Sequence, residues 1–534
     1  MKKANSMNNR LLCIAGAAAA LLLLGSAHAA APGVKGTAFT LTASPAYISQ
    51  PDGQMVYSWG YACSGGGSAA PTTITPPVTG VCGGVMQIPG PTLIVTEGVA
   101  FSVALTNNLP TAAGNTSILF PGLSVSSPPT GGVAGLLTQE AAPGASVTYH
   151  LIANSPGTRA YYSGTQGDLQ VEMGLYGAII VLPSTATPAG CTALNSVPAH
   201  YIAPGNSREA DFRLAAAAYD HAKTCYDREY LFQFSEMDLN IHNQALAQVT
   251  AKAGCAAGTA GCSLEVPTEP YHPAYFMING RSMPDDMDTN YAAQYPHQPY
   301  NGNPHMHPGE QVLIRVIGQG RWQHPFHEHG NHVRILGRDG NLILSATDPN
   351  SLAGPLQFTT TTTPGLAFDG IFYWTGKGLN WDAYGHNPAS TAASNMPVHA
   401  ACVPDANGYN TGAPTAINFW EWCQDHNKPM QAHPFGDVAG GGPVTLPDPN
   451  LFTNGAWYGG SPYLGPDATT RFAGPTGTTP PSGTIANSPT GEAGFAFMWH
   501  SHNEREITTN NIFPGGMLMM MLVDSREFQI DESN

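Results

Sequence analysis

Charge is scarce in this chain. Only 10% of its 534 residues are Asp, Glu, Lys or Arg, too few for a coiled coil or for an assembly of long solvated helices, which draw about half of their residues from Ala, Glu, Lys, Leu and Arg. Basic residues are the scarcer sign, 20 against 36 acidic, for a formal net charge of −16. That balance argues against nucleic acid and anionic membrane as partners, because both are bound through clustered Lys and Arg. No C-x-x-C occurs, so the usual zinc-ribbon and thioredoxin-like patterns are excluded. Apart from Leu11 to Leu24, no long apolar run is present, so the mature chain carries no membrane anchor.

Gly (61) and Pro (46) are abundant instead. With apolar runs recurring between them, they read as turns joining many short strands, not as disorder. Residues 1–29 form a signal peptide: Lys2, Lys3 and Arg10 make a basic start, Leu11 to Leu24 the apolar core, and "SAHAAAPG" a small-residue cleavage site after Ala29. The mature protein is therefore expected to be exported, periplasmic or extracellular. Without Cys13 of the leader, eight cysteines remain, an even number suited to an oxidising compartment. Nearest-neighbour pairing gives Cys63–Cys82, Cys191–Cys225, Cys255–Cys262 and Cys402–Cys423, all in loop-like stretches.

Period-2 alternation through "GPTLIVTEGVAFSVALTNNLP" (Gly90 to Pro110), then "GASVTYHLI" and "GLYGAIIVLP", predicts an N-terminal β-sandwich over 36–184. After a connecting segment, 185–228, a second round begins at "EYLFQFSEMDLNIHN" and runs over 229–525, closing on "GFAFMWHSH" and "GGMLMMMLV". A loop-rich insertion at about 382–490, with the string "NFWEWCQDHNKPM", interrupts it. The order of runs in the two halves is a weak internal repeat.

Several of these runs resemble one family in that family's order. "GPTLIVTEGVAFSVALTNNLP" and "GTRAYY…GLYGAIIV" are similar to the opening and end of the first domain of multicopper oxidases, and "HPFHEHG" and "WHSH" to their two C-terminal copper motifs. The resemblance implies an all-β chain of tandem cupredoxin-like Greek-key β-sandwiches, with the long insertion in the C-terminal domain. In that family four His-x-His motifs surround a three-copper cluster. By resemblance His327, His329, His500 and His502 are cluster ligands, and His324 is the first ligand of the type 1 copper. The first-domain motifs, an Ile-His-Trp-His-Gly run and a Tyr-His-Ser-His run, read here "ILFPG" and "YYSG". Leu119, Pro121, Tyr162 and Gly164 therefore stand where histidines are expected. The type 1 cysteine position holds Ser501, its second histidine aligns with Glu506, and Met517 falls at the axial position.

A type 1 site needs a soft thiolate to hold copper and pass electrons. Serine and glutamate in place of cysteine and histidine remove it, and half of the cluster's ligand set is missing. Four imidazoles remain. Residues two apart on a strand share a face, so the two His-x-His pairs converge if their strands are neighbours, and such a nitrogen set suits copper, with zinc the alternative. Three functions follow as expectations: an exported protein that binds a transition metal at this residual site without four-copper oxygen reduction; an oxidoreductase with an altered centre acting on metal ions or phenols; or a metal-free structural module, with His324 and Glu506 as a plain ion pair. Metal ions are the expected partners, and a homo-oligomer or a different protein chain is left open. Three minor features are expected to be structural. Tyr161 and Tyr162 pack in the core or an interface, "GGMLMMML" is a buried closing strand, and "NPHMHPGE" is an exposed loop.

Overall fold

The computed structural model describes residues 31–71, 81–184, 187–194, 211–374, 403–412, 423, 460–464, 493–524 and 530. The described residues are mostly β and form β-sandwiches, as the alternation predicts. The first pairs a sheet in the order Gly157–Tyr162, Tyr176–Leu182, Gly90–Thr96, Gly33–Lys35, Ser68–Ala70 with a sheet running from Met86–Gln87 to Ser124–Gly131. Strand Ala100–Asn107 shows why these residues fold this way. Phe101, Val103 and Leu105 point into the core, while the residues between them are only partly covered. The second sandwich places Arg228–Met237, Gln311–Gly318 and Ala367–Tyr373 side by side in one sheet, and His305–Met306, Leu518–Asp524, Ala493–Ser501, His324–Glu328 and Thr359–Thr362 in the other. Its core is aromatic and methionine-rich, including Phe232, Phe326, Trp499, Met519 and Met521.

Strand Arg228–Met237 is buried along its whole length. Phe232 and Phe234 face the second core, while Leu231 joins an apolar cluster with Ile94, Ala160 and Ile180 of the first sandwich. The two sandwiches are thus joined by an apolar seam, and a buried ionic cluster crosses it. Arg315 pairs with Glu229 (2.8 Å) and Asp369 (3.3 Å), and Asp369 accepts from the Thr158 amide (3.0 Å) and hydroxyl (2.5 Å) and from the Tyr219 hydroxyl (2.7 Å). Each carboxylate oxygen of Glu229 and Asp369 has at least one donor, the condition under which buried charge is tolerated. Tyr219→Phe deletes one charged hydrogen bond and should lower unfolding free energy by about 1.5–3 kcal/mol, read from a urea melt.

Three disulfides form as nearest-neighbour pairing expects: Cys63–Cys82, Cys191–Cys225 and Cys255–Cys262. Cys423 is also disulfide-bonded. Its expected partner Cys402, the leader and most of the 382–490 segment lie outside the described residues; within that segment Gly460–Leu464 pairs with Ala493–Ser501. Among the described residues no helix is long and apolar enough to cross a membrane.

One expectation needs correcting. His305, Met306 and His307 are not an exposed loop. They are buried, with His305 and Met306 paired in parallel with Leu522 and Val523, and the Tyr230 hydroxyl donates to the His305 carbonyl (2.6 Å). A two-residue strand is too short to show alternation, so the prolines around it look like a loop.

Candidate metal centre

Strands His324–Glu328 and Ala493–Ser501 are antiparallel neighbours, with His327 opposite His500 and Phe326 opposite Ser501. The pleat then sorts the side chains. Phe326, Trp499 and Phe497 enter the core. His327, His329, His500 and His502 gather on the other face. Ring centroids lie 4.7 Å apart for His327–His329, 4.8 Å for His327–His502, 5.2 Å for His329–His500 and 5.5 Å for His500–His502. His329 Nε2 and His500 Nε2 face each other at 3.2 Å. His500 Nδ1 donates to the Ser501 carbonyl (2.7 Å), which fixes the proton there and leaves Nε2 as a lone pair. His327 Nδ1 meets the Thr359 hydroxyl at 2.6 Å. Burial, reinforced by the neighbouring His500 and His502, lowers the His327 pKa to about 4, and burial also lowers that of His500. Both rings are neutral at pH 7, the form that ligates metals. His502 is half exposed, 3.7 Å from Glu504. His332 packs edge-on to Phe358.

The four rings are close, but among the described residues no three His, Cys, Asp or Glu side chains converge on one point as metal ligands. Only the His329–His500 pair is aligned. Its 3.2 Å spacing matches two neighbouring ligands on a metal with bonds of about 2.0–2.1 Å. A third ligand requires the ring of His327 or His502 to turn.

On the core-facing side stand the residues at the type 1 positions. His324 is fully buried between two carboxylates. Its Nε2 lies 2.9 Å from Glu236 Oε2, and its Nδ1 lies 2.9 Å from Glu506 Oε2, in an ion pair too oblique to be a linear hydrogen bond. Glu506 reaches the site on the short helical turn Glu504–Ile507, where it also accepts from the Ser501 hydroxyl and from Asn503 Nδ2 (2.9 Å). Met517 is buried in the core, and its backbone bridges the Ser501 amide (3.0 Å) and the Glu506 carbonyl (2.8 Å). Burial alone would lower the His324 pKa; hydrogen bonding and charge from Glu236 and Glu506 outweigh it and raise the pKa to about 9. His324 is therefore an imidazolium at neutral pH.

Glu236 was not anticipated from the sequence. It lies far from both histidine motifs, at the end of Arg228–Met237, and only the fold brings it to His324. Its other oxygen accepts from the Arg321 and Trp322 amides (2.7 and 2.8 Å). Tyr271 lies 3.3 Å away and donates to Glu172 (2.7 Å), whose pKa burial raises to about 8. Glu328 takes no part. It is buried, accepts from the Thr360 hydroxyl (2.8 Å), and burial pushes its pKa well up.

A pH dependence follows. The raised His324 pKa means that the folded state holds a proton which the unfolded chain, with an ordinary pKa near 6.5, gives up first. The stability it contributes is complete below about pH 6.5 and is lost as pH rises through about 9. Urea midpoints should fall between pH 7 and 9, and the fall should shrink in His324→Gln.

The four first-domain positions lie elsewhere. Leu119 and Tyr162 are backbone partners (2.7 and 3.3 Å), as two ligand-bearing strands would be. Gly164 sits so close that a Cβ there would come within 2.7 Å of Leu119, and Pro121 is half-buried in the adjoining turn. Tyr161 is fully buried and donates to the Pro91 carbonyl (2.8 Å). Leu119, Tyr162 and Gly164 line a cavity closed on the second-sandwich side by Gln319, Gly320, Pro364 and Gly365; none of the four histidines lines it.

Residues 71–186 match the family model described as multicopper oxidase. Over this stretch the chain is similar to multicopper oxidases. It is 29% identical over 156 residues to laccase abr2 of Aspergillus fumigatus, and 33% identical over 122 residues to multicopper oxidase CTB12 of Cercospora beticola. These matches cover 29% and 23% of the chain, and only 25% and 17% of the relatives' own lengths. Among solved structures, a multicopper oxidase, mgLAC, superposes with a TM-score of 0.43 at 16% identity, covering 92% of this chain and 87% of that one. The blue copper oxidase from Nitrosomonas europaea gives 0.42 at 14% identity, covering 91% and 85%. The matched stretch contains Leu119, Pro121, Tyr162 and Gly164, so the substituted motifs lie inside the segment that resembles the family.

Proposed function

We propose that this multicopper-oxidase-like protein is exported and binds one transition metal, copper or else zinc, at His327, His329, His500 and His502, and that it does not reduce oxygen with four coppers. The observation that carries the proposal is the His329–His500 pair, two Nε2 atoms 3.2 Å apart across adjacent strands, with two further imidazoles beside them. The donor set fits one metal by its chemistry: neutral imidazoles, with His500 held in the ligating tautomer by the Ser501 carbonyl and His327 held by Thr359. A bound metal would supply Lewis acidity and, if copper, a one-electron couple. The donor set does not fit four coppers. Leu119, Pro121 and Gly164 offer no side-chain donor, and Ser501 and Glu506 offer no thiolate or imidazole. The His324 imidazolium between two carboxylates fills the type 1 position with a buried ionic lock. Exported status is supported by the disulfides.

One reading competes on the same atoms. If His329 Nε2 carries a proton, it donates to His500 and the cluster is a metal-free hydrogen-bonded pair. Equilibrium dialysis of the purified chain against Cu(II) and Zn(II) separates the two. Retained stoichiometric metal is expected, and a chain that returns empty from both supports the metal-free module.

A further inference from the structure

The cavity between the sandwiches has chemistry of its own. Its volume is about 400 Å³, within the range of small-molecule sites. Leu119, Leu137, Val171 and Pro364 supply apolar walls, and none of the described lining residues is charged. Glycines let backbone form part of the surface. A Cβ at Gly164 would strike Leu119 at 2.7 Å, and one at Gly365 would press on the Tyr162 ring at 3.2 Å, so larger residues there would disturb the two side chains that shape the site.

Two residues of this lining carry a polar atom that pairs with no described group. Gln319 is 2% exposed. Its Nε2 donates to the Gly177 carbonyl (2.9 Å) and to Gln233 Oε1 (3.0 Å), so both amide protons are committed, while its Oε1 accepts from no described group. Gln319 is one of the residues that line the cavity. The half-buried Tyr162 hydroxyl likewise makes no hydrogen bond with any described group, and burial raises its pKa and keeps it protonated. A committed amide with an open acceptor, on the same largely apolar lining as an open phenol, makes a recognition pair.

We infer that the cavity between the two sandwiches binds a neutral, flat aromatic molecule bearing an N–H or O–H donor, which gives its proton to Gln319 Oε1 and stacks its body among Leu119, Val171, Pro364 and Tyr162. A charged ligand is disfavoured because the described lining residues offer no counter-charge for a desolvated ion. A ligand without a donor leaves Gln319 Oε1 unmatched. The site needs no metal and stands apart from the histidine cluster.

The test is titration calorimetry of the purified full chain with three probes: indole (neutral, one N–H), naphthalene (similar shape, no donor) and benzoate (charged). Indole is expected to bind saturably. Naphthalene should bind about fivefold more weakly, the value of one hydrogen bond, and benzoate at least about tenfold more weakly. Gly167→Phe fills the mouth without backbone strain, since nothing lies within 4 Å of a Cβ there and its φ is not positive. It should weaken indole at least about tenfold. His500→Ala/His502→Ala should leave indole binding unchanged, so that loss of the metal site and loss of this site are told apart. Should Gly167→Phe fold poorly, Val171→Phe on the same wall replaces it. No indole binding, indole bound equally well by both filled variants, or benzoate or naphthalene matching indole would each overturn the inference.

Discussion

Glu506→Ala should lower the unfolding free energy by about 3–5 kcal/mol, the cost of removing one partner from a buried ion pair. The carboxylate is 1% exposed and serves three groups at once: the His324 imidazolium, the Ser501 hydroxyl and Asn503 Nδ2. Its removal leaves His324 with Glu236 alone and strands the other two donors. Glu506→Gln keeps the shape and part of the hydrogen bonding, so its loss should be smaller. Glu504→Ala, two residues away and with its side chain 75% exposed, should be nearly silent. Urea denaturation of the three variants at pH 7 checks the series. If Glu506→Ala were as silent as Glu504→Ala, the lock at the type 1 position would be wrong.

His329→Ala/His500→Ala should weaken copper binding more than about 100-fold, beyond what loss of an outer-shell partner costs. The pair supplies the two nitrogens already aligned among the four rings; His327, though buried, would have to turn, and His502 is half exposed. Thr359→Val should act through His327 orientation alone and cost about tenfold or less. The alanine variant is expected to fold, because the four histidines occupy the face opposite the aromatic core formed by Phe326, Trp499 and Phe497. Competition titration against a chelator reads both effects. Equal affinity in the wild type and the double variant would place bound copper somewhere else.

The two His-x-His motifs were legible from the sequence because period-2 alternation puts each pair on one face, and their adjacency needed only the resemblance. The His324–Glu506 contact was legible as an alternative to copper, since both residues fell at type 1 positions. Glu236 was not: 88 residues separate it from His324, and nothing local marks a carboxylate at a strand end as the partner of a distant histidine. The burial of His305 and His307 was hidden for a different reason, because a two-residue strand has no period and takes its burial from Leu522 and Val523 across the sheet. Leu119 and Tyr162 were recognised as departures from a copper motif. That they line a cavity followed only from the packing of one sandwich on the other.

The central claim, a metal site kept without the type 1 centre, is tested most directly by metal analysis and absorption spectroscopy on the same sample, purified from an oxidising compartment with copper supplied. The prediction is stoichiometric copper or zinc, retained through gel filtration, with no intense blue absorption. An intense blue band would contradict the reading of Ser501, Glu506 and His324 as a closed ion pair, and a chain that emerges without metal would contradict the site at His327, His329, His500 and His502.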